Sequence, residues 1–412
     1  MKILQVNSYE TPGRRFNGLA VTPLLKKYDV HSKHLVWDKD TDNPDVLTFG
    51  GQVVRKVNRA INIVERGASM QAMLHINALL MTKMEAFKEA DLIHLHNIHS
   101  NKFFSLAHLH KIAKLKPTVW TLHDPWAMTG HCVYPLDCKG WMTGCGNCPD
   151  LNRYLPLLFD TTSLLFKYKK NCYKNANFDL IVASKWMKDM VEQSPIFDKP
   201  RVHHIPFGLD LDFFSPSHAK AARKRFNIPD NTLVISFRAV VGNQFKGLPY
   251  IIEALELIST DKPICIITTN SWAQPVYHRF KDRFRVIEFE WLDDEILTRD
   301  IMAASDIFLM PSIAEAFGLM AIEALACGKP IIVFEGTALP SVTFAPDVGI
   351  AVPAHDSIAL YKELQNLIDN DEERNIRSKQ GRIIAETHYD QEGHVKNLVE
   401  VYKMVEERWK RS

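Results

Sequence analysis

The 412-residue sequence has almost no excess of charge of either sign and no long apolar run. Its 50 Lys and Arg residues nearly balance its 48 Asp and Glu residues, which gives a formal net charge of +2. A balance this close to zero argues neither for nor against a nucleic-acid partner. No apolar run approaches the roughly 20 residues that a transmembrane helix needs, and the apolar run at the N-terminus is too short for the core of a signal peptide.

Internal repeats and low-complexity segments are absent as well. With 46% hydrophobic and 24% charged residues, the composition is typical of a globular protein. A chain of 412 residues is long enough for two domains of ordinary size. We therefore expect a soluble, cytoplasmic protein, and the seven cysteines fit a reducing compartment.

Residues 311–330 (PSIAEAFGLMAIEALACGKP) contain a turn and a short helix between two apolar runs. The runs IFLM (307–310) and PIIVF (330–334) are typical of strands buried on both faces in a parallel sheet. Gly328 can end the helix, and Pro330 prevents its continuation. The stretch therefore predicts a strand, a loop, a helix and a second strand.

Charged residues and a glycine surround the predicted start of this helix. It should begin near Phe317, Gly318 and Leu319, where unpaired backbone N–H groups favour an anion such as a diphosphate. Glu315 lies on the loop before this point, and Glu323 lies within the helix. Two carboxylates beside an anion site suit a nucleotide sugar, which has hydroxyls at both ends and phosphates in the middle.

These residues resemble the E-x-F-G-x-x-x-x-E signature of glycosyltransferase family 4, the retaining "group 1" enzymes of the GT-B fold. The resemblance implies that Glu315 contacts the donor sugar, that the amides of Phe317, Gly318 and Leu319 hold its diphosphate, and that Glu323 binds the ribose hydroxyls. The alternative is a surface loop followed by an acidic helix face.

Two cations complete the donor site that the resemblance implies. Lys246-Gly247 resembles the family's K-G pair, whose Lys neutralises the departing phosphate, and Arg238 at the end of a predicted strand is the nearest match to its partner. No D-x-D motif for a metal occurs at a matching place. We therefore expect catalysis without a metal cofactor, with the cations stabilising the leaving group.

His123 is the candidate for the reaction centre in the N-terminal half. It follows a predicted strand (117–122) and is followed by Asp124. The segment resembles the family's T-x-H-D, which implies that His123 lies beneath the donor sugar near its anomeric carbon. The alternative is a histidine that is merely hydrogen-bonded at a strand end.

A second strand with polar residues at its end precedes it. In DLIHLHNIH (91–99), His94 and His96 alternate with apolar residues and are expected to lie in the core. Asn97 and His99 lie at the strand end, where open α/β sheets bind their ligands, and are the better site candidates.

Four cysteines are crowded into residues 124–151. Their spacing, C-x5-C-x6-C-x2-C, has a single C-x2-C knuckle, so the segment is either a structural Zn²⁺ site or a set of reduced or redox-paired thiols. It resembles the HD-x-W…TGHC…C…C-x-x-CP insertion of polysaccharide-assembling family members, and it would shape the acceptor pocket. The cysteines are Cys132, Cys138, Cys145 and Cys148.

Two basic segments are candidates for membrane contact. Residues 52–87 show a long helical pattern with several arginines and lysines, and residues 163–177 form a basic helix with interleaved aromatics, including Lys169. Such segments bind anionic lipid headgroups or the pyrophosphate of a lipid-linked acceptor, although ordinary surface helices show the same pattern. No nucleic-acid-binding module is recognisable, so we expect no nucleic-acid partner.

The sequence thus predicts an α/β protein with two Rossmann-like, doubly wound domains facing across a cleft. Their expected bounds are 1–205 and 206–385, with a C-terminal helix (386–412) that returns to the N-terminal domain. The resemblance implies a retaining hexosyltransferase that moves a sugar from a UDP- or GDP-sugar to a lipid-linked glycan in surface polysaccharide synthesis, in the cytoplasm or on the inner face of the membrane. The alternatives are a sugar-nucleotide epimerase or hydrolase, and an inactive binding scaffold.

Overall fold

The structure is a computed structural model that describes residues 1–11, 13–99, 103–153, 155–238, 243–269, 274–290 and 294–411. It divides into two compact units. Met1–Pro206 and His394–Ser412 form the first unit, and Phe207–Gly393 forms the second.

The first unit is built on a seven-stranded parallel sheet in the order β3-β2-β1-β4-β5-β6-β7. Its apolar strands alternate with short helices along the chain, as in doubly wound folds. The strands are β1 (Lys2–Tyr9), β2 (His31–Asp38), β3 (Val46–Thr48), β4 (Leu92–Leu95), β5 (Thr118–Leu122), β6 (Asp179–Val182) and β7 (Val202–His204). The helices are α1 (Thr22–Lys26), α2 (Gln52–Gly67), α3 (Asn77–Met81), α4 (Glu85–Glu89), α5 (Leu109–Leu115), α6 (Thr162–Lys174) and α7 (Lys185–Gln193).

The second unit repeats this design on a six-stranded parallel sheet in the order β10-β9-β8-β11-β12-β13. Its strands are β8 (Leu233–Arg238), β9 (Ile264–Thr269), β10 (Arg285–Glu288), β11 (Ile307–Met310), β12 (Ile331–Phe334) and β13 (Ile350–Val352). Its helices are α8 (Ala219–Arg225), α9 (Leu248–Leu257), α10 (Pro275–Phe280), α11 (Glu295–Ala304), α12 (Leu319–Ala326), α13 (Leu339–Val342), α14 (Ser357–Asp369) and α15 (Asp371–His388).

The last helix, α16 (Gln391–Lys410), belongs to the first unit from His394 onwards. One apolar face of this helix packs in the same core as the strands of the first sheet. Contributors to that core are Ile3, Leu92, Val119, Ile181, Val395, Leu398, Tyr402 and Val405. The predicted α/β fold, with two Rossmann-like domains and a returning C-terminal helix, is confirmed.

The strand order of each sheet reverses at one place, between β1 and β4 in the first unit and between β8 and β11 in the second. At such a switch point the loops leave the sheet in opposite directions, so a crevice opens beyond the carboxyl ends of the strands. Each unit thus has one place that its topology favours for a ligand.

The long helix predicted over residues 52–87 is wrong, because α2 ends at Gly67. Two residues just beyond it, Ser69 and Ala72, adopt left-handed backbone conformations with φ of 49° and 54°. The buried carboxylate of Glu65 then accepts hydrogen bonds from the N–H groups of Met73 and Leu74. These hydrogen bonds stabilise the turn that ends the helix. None of the described helices combines the length and the apolar character that crossing a membrane requires.

Candidate active site

Lys246 and Glu315 form an ion pair at the switch point of the second unit. Lys246 ends a short 3-10 helix, Gln244–Lys246, that precedes α9, and Glu315 lies on the loop between β11 and α12. Lys246 Nζ lies 2.8 Å from Glu315 Oε2, and the two side chains are 22% and 16% exposed. The structure therefore brings together two predicted site residues that are 69 positions apart in the chain.

Main-chain contacts fasten the two loops that carry this ion pair. The N–H of Ile313 donates to the carbonyl oxygen of Phe245 over 2.9 Å. Gly247 has φ +73°, and a Cβ there would lie 2.0 Å from the carbonyl oxygen of Pro311. Only glycine allows this approach, so the backbone itself fixes the position of the lysine relative to the glutamate.

Gly318 is the residue immediately before α12, at the centre of the three amides in the diphosphate prediction. It has φ +95°, and a Cβ at this position would lie 2.5 Å from Leu339 Cδ2. The glycine is therefore required by its conformation and by its packing on Leu339, a reason that the sequence does not show. Among the residues that the structure describes, the N–H groups of Phe317, Gly318 and Leu319 find no acceptor, as is usual at a helix start.

The side chains of Phe317 and Glu323 are directed into the second unit. Phe317 is buried and makes edge-to-face contacts with Phe207 and Tyr389, at centroid distances of 5.1 and 6.0 Å. Glu323 is 0% exposed, on the buried face of α12. Phe317 can thus offer a ligand only its backbone, and the role of Glu323 toward ribose hydroxyls stays a prediction.

Arg238 lies at the same edge of the second sheet. It is the last residue of β8, where it pairs with Thr269 of β9. On its other side β8 pairs with β11, with Phe237 opposite Leu309. Arg238 therefore ends its strand next to the one that leads to Glu315. Its predicted contact with the leaving group stays a prediction.

His123 follows β5 in the first unit and is half-buried. Its Nε2 lies 3.2 Å from Nδ1 of His96, and the two rings are nearly parallel, with 17° between their planes. The ring of Phe16 lies 5.0 Å away, measured between centroids. Burial lowers the pKa of His123 to about 4, although Asp124 opposes the shift. The imidazole is therefore neutral at pH 7.

His99 and Asp124, which the sequence places at the ends of neighbouring strands, form a pair that the sequence does not predict. His99 Nε2 lies 3.3 Å from Asp124 Oδ2, and the ring of His99 stacks on Trp126 at 4.7 Å. Burial raises the pKa of Asp124, but His99 and the N–H of Trp126 outweigh it and the net shift is downward. The available signal was that both residues follow neighbouring strands. Asn97, the other candidate, is held by a hydrogen bond from its N–H to Asn7 Oδ1.

The four clustered cysteines surround one pocket, together with His131 and Trp141. All four are free thiols: Cys132, Cys138, Cys145 and Cys148. Backbone N–H groups of two glycines point at the sulfurs of Cys145 and Cys138, over 3.2 and 3.4 Å. Within the described ranges, however, no three His, Cys, Asp or Glu side chains are arranged to hold a metal ion. The structure gathers the thiols, and the zinc site stays a prediction.

The sequence places Lys169 on a solvated basic helix face. This prediction is wrong, because the Lys169 side chain is fully buried. Its Nζ donates to the carbonyl oxygens of Trp126 and Thr129 over 2.6 and 3.0 Å, and it lies 3.5 Å from the Trp126 ring centroid. Burial lowers the pKa of Lys169 to about 7, against the effect of Cys132 and Cys145. The lysine therefore fixes the segment that follows His123.

Two family models match the chain. The model described as "Glycosyltransferase Family 4" covers residues 37–213, and "Glycosyl transferases group 1" covers residues 219–383. The chain belongs to the group 1 glycosyltransferases of family 4. The family resemblance read from the sequence is thereby confirmed.

Two curated relatives of this glycosyltransferase match over part of their length. The putative colanic acid biosynthesis glycosyl transferase WcaC of Escherichia coli K12 is 38% identical over 88 residues, which is 20% of this chain and 22% of the relative. The D-inositol 3-phosphate glycosyltransferase of Xylanimonas cellulosilytica is 27% identical over 224 residues, or 51% of this chain and 53% of the relative. The chain therefore spans only about a fifth and about half of the lengths of these two relatives.

Solved glycosyltransferases share the fold over nearly the whole chain. WaaG, a glycosyltransferase involved in lipopolysaccharide biosynthesis, has a TM-score of 0.68 at 13% identity, covering 98% of this chain and 99% of that one. Anabaena HepE, solved with UDP and glucose, has a TM-score of 0.66 at 17% identity, covering 98% and 100%. At these identities the likeness establishes the GT-B fold.

Proposed function

We propose that this protein transfers a hexose, with retention of anomeric configuration, from a nucleotide-sugar donor to a hydroxyl of a glycan acceptor. The observation that supports this most is the Lys246–Glu315 ion pair at the switch point, next to the open amides of α12. The pair offers one cation for a diphosphate and one carboxylate for sugar hydroxyls within 2.8 Å of each other. A donor that enters would replace each half of the pair with a ligand contact.

The proposed transfer needs groups that stabilise negative charge and orient the sugar, and these residues can supply both. As the bond between the anomeric carbon and the diphosphate oxygen breaks, negative charge grows on the phosphate, and Lys246 and Arg238 stabilise it. The incoming hydroxyl forms the new bond on the same face and gives its proton to the departing phosphate oxygen. Glu315 and His123 orient the hexose, and exclusion of water strengthens each polar contact.

Substitution of the ion pair tests this proposal. Lys246→Met and Glu315→Gln should each lower kcat/KM for transfer by about 100-fold, since losing one such contact costs roughly 3 kcal/mol of transition-state stabilisation. Lys262→Met is the matched control, because Lys262 forms an exposed ion pair with Asp371 over the same 2.8 Å in the same unit. Wild-type rates in both site variants would refute the proposal.

A donor screen identifies the substrate and separates the alternatives. A UDP- or GDP-sugar at 100 times its Kd should stabilise the protein by about 2.7 kcal/mol, which a thermal-shift assay detects. Donor turnover that ignores added acceptor would instead indicate a hydrolase or epimerase. Tight partner binding without donor consumption would indicate an inactive scaffold.

We further propose that the acceptor is lipid-linked and belongs to polysaccharide synthesis, which would place the protein on the cytoplasmic face of a membrane. The match to WcaC, named for colanic acid biosynthesis, supports this. Helix α2 supports it physically, because its polar residues Asn58 and Glu65 are buried while Val53 and Val64 are 75% and 58% exposed. Its exposed surface also carries arginine and lysine, which anionic headgroups attract.

Flotation with anionic vesicles tests the membrane contact. Val53→Ser/Val64→Ser should reduce binding to phosphatidylglycerol vesicles severalfold, because two apolar side chains no longer enter the interface. Ile376→Ser/Ile383→Ser on α15 is the matched control, since these isoleucines are also exposed but lie in the second unit. Equal loss in both variants would contradict a specific role for α2.

A further inference from the structure

A buried glutamine and two histidines form a continuous hydrogen-bonded chain that ends at His123. Gln5 of β1 and His96, just after β4, are 1% and 3% exposed. His96 Nε2 lies 2.8 Å from Gln5 Oε1, and His96 Nδ1 lies 3.2 Å from His123 Nε2. We call Gln5, His96 and His123 the histidine chain.

The side-chain amide of Gln5, the first member of the histidine chain, has its oxygen toward His96. In this orientation its Nε2 donates to Ser32 Oγ over 3.2 Å. An amide oxygen can only accept a hydrogen bond. The nitrogen of His96 that meets it, Nε2, must therefore carry the proton.

The hydrogen-bond direction at Gln5 then sets the direction at the other two members of the histidine chain. Burial and the neighbouring histidines hold the pKa of His96 well below its usual value, so its ring is neutral and carries one proton. With that proton on Nε2, Nδ1 of His96 has a lone pair and accepts. It follows that Nε2 of His123 carries the proton of that ring and donates it to His96.

The surroundings keep this arrangement in place. Gly18 packs so closely on Gln5 that a Cβ there would lie 1.7 Å from Gln5 Oε1. His94 lies against His96 with 3.9 Å between ring centroids, and both of its ring nitrogens are engaged, by Tyr402 OH and Thr121 Oγ1 at 2.7 Å each. Rotation of the glutamine amide or of the central ring would break several contacts at once.

We infer that Gln5 and His96 are positioning residues that hold His123 in its neutral Nε2–H tautomer, so that Nδ1 of His123 can only accept a hydrogen bond. A sugar hydroxyl that reaches this side of the ring must then donate to it. This selects ligands that present a hydroxyl there over ligands that present only an acceptor. The part that concerns sugars rests on the proposed function, whereas the tautomer itself does not.

Nitrogen NMR of the full-length protein, labelled with ¹⁵N-histidine and free of ligand, tests the tautomer at pH 7. Long-range ¹H–¹⁵N correlations distinguish the two neutral tautomers from the cation, and loss of signals in His96→Asn and His123→Asn assigns the two rings. We expect both rings as neutral Nε2–H tautomers. A His123 ring protonated at Nδ1, or charged, overturns the inference whatever the enzyme's activity is.

Gln5→Glu should reverse the polarity with little change in shape. A carboxylate in place of the amide draws a second proton onto His96, whose Nδ1 then donates, so that His123 becomes the Nδ1–H tautomer. We expect that change in the spectrum, together with a fall of about tenfold in kcat/KM for transfer, since one contact to the donor is lost. An unchanged His123 signal in folded Gln5→Glu protein overturns the inference.

Gln71→Glu is the matched control for the spectrum. Gln71 is another buried glutamine of the first unit, and its oxygen accepts from Trp126 Nε1 rather than from a histidine. This variant should leave the His123 tautomer unchanged, and a shift equal to that of Gln5→Glu would overturn the inference. If the wild-type spectrum agrees but no donor is consumed, the proposed function fails while the tautomer stands.

Discussion

Replacing Gly247 by alanine should damage the second unit and its site together. The residue has φ +73°, and a left-handed conformation costs an L-residue about 1–2 kcal/mol. The new Cβ would also lie 2.0 Å from the carbonyl oxygen of Pro311, a backbone atom that cannot rotate away. Shifting packed backbone costs about 1–3 kcal/mol more. We therefore expect Gly247→Ala to lower the free energy of unfolding by about 2–5 kcal/mol.

Gly336→Ala separates the two contributions. Gly336 has a similar φ of +80°, but a Cβ there would meet nothing within 4 Å. This variant should lose only the conformational part, about 1–2 kcal/mol. Urea denaturation of both variants, followed by circular dichroism, measures the difference between them, which is the cost of the clash with Pro311.

The same clash should appear in the kinetics. To clear the carbonyl oxygen, the turn that carries Lys246 must move by about 1 Å, and a displacement of that size in a catalytic group costs about 100-fold in rate. Gly247→Ala should therefore lose about 100-fold in kcat/KM for transfer. Equal stability of the two glycine variants, with wild-type transfer by Gly247→Ala, would refute the claim that close packing of the backbone positions the lysine.

Three further outcomes are expected. The urea concentration at the unfolding midpoint should decrease as the pH is lowered from 6.5 to 4. Burial lowers the pKa of His34, His123 and His394 to about 4, so in this range the unfolded chain binds protons that the folded chain does not. Equal midpoints at pH 7 and pH 5 would contradict this. Asp179→Ala should lower the free energy of unfolding by about 3–5 kcal/mol, since its buried carboxylate pairs with Arg201, His203 and Arg408, whereas Asp371→Ala should lower it far less in the same titration, because the Asp371 side chain is exposed. If the cysteine cluster is a zinc site, elemental analysis should find zinc in the purified protein and less of it in Cys145→Ser; a metal-free protein with four reactive thiols would instead indicate reduced cysteines.

The fold could be predicted from the sequence because its parallel strands are nearly continuous apolar runs. Residues 307–310 form β11 and are all buried, as the run IFLM predicts. The break after α2 has one signal in the sequence, Gly67 at the helix end after Arg66. The turn that follows has none, since the residues that adopt a positive φ there, Ser69 and Ala72, are not glycines. That turn is stabilised by the carboxylate of Glu65, which accepts hydrogen bonds from the N–H groups of residues eight and nine positions further along the chain.

The second-unit site was predictable in its residues but not in its contacts. The E-x-F-G signature and the K-G pair identify Glu315 and Lys246, yet only the folded chain shows that they form an ion pair. Burial was harder to foresee, because Lys169 reads as one of several lysines on a basic helix and is fully buried. His94 and His96 read as core residues, and both are buried. The hydrogen bond between His96 and His123 depends on the register of neighbouring strands.

The two switch points of this glycosyltransferase differ in the charge of the side chains that lie beside them. The second unit places a formal cation and a formal anion 2.8 Å apart at its sheet edge, so it can exchange their mutual contact for a charged ligand. The first unit places the uncharged histidine chain there, because burial keeps the rings of His96 and His123 neutral at pH 7. Neutral donors and acceptors hold a hydroxyl without attracting a phosphate. The diphosphate would therefore be drawn to the second unit, and the histidine chain would select among hydroxyls.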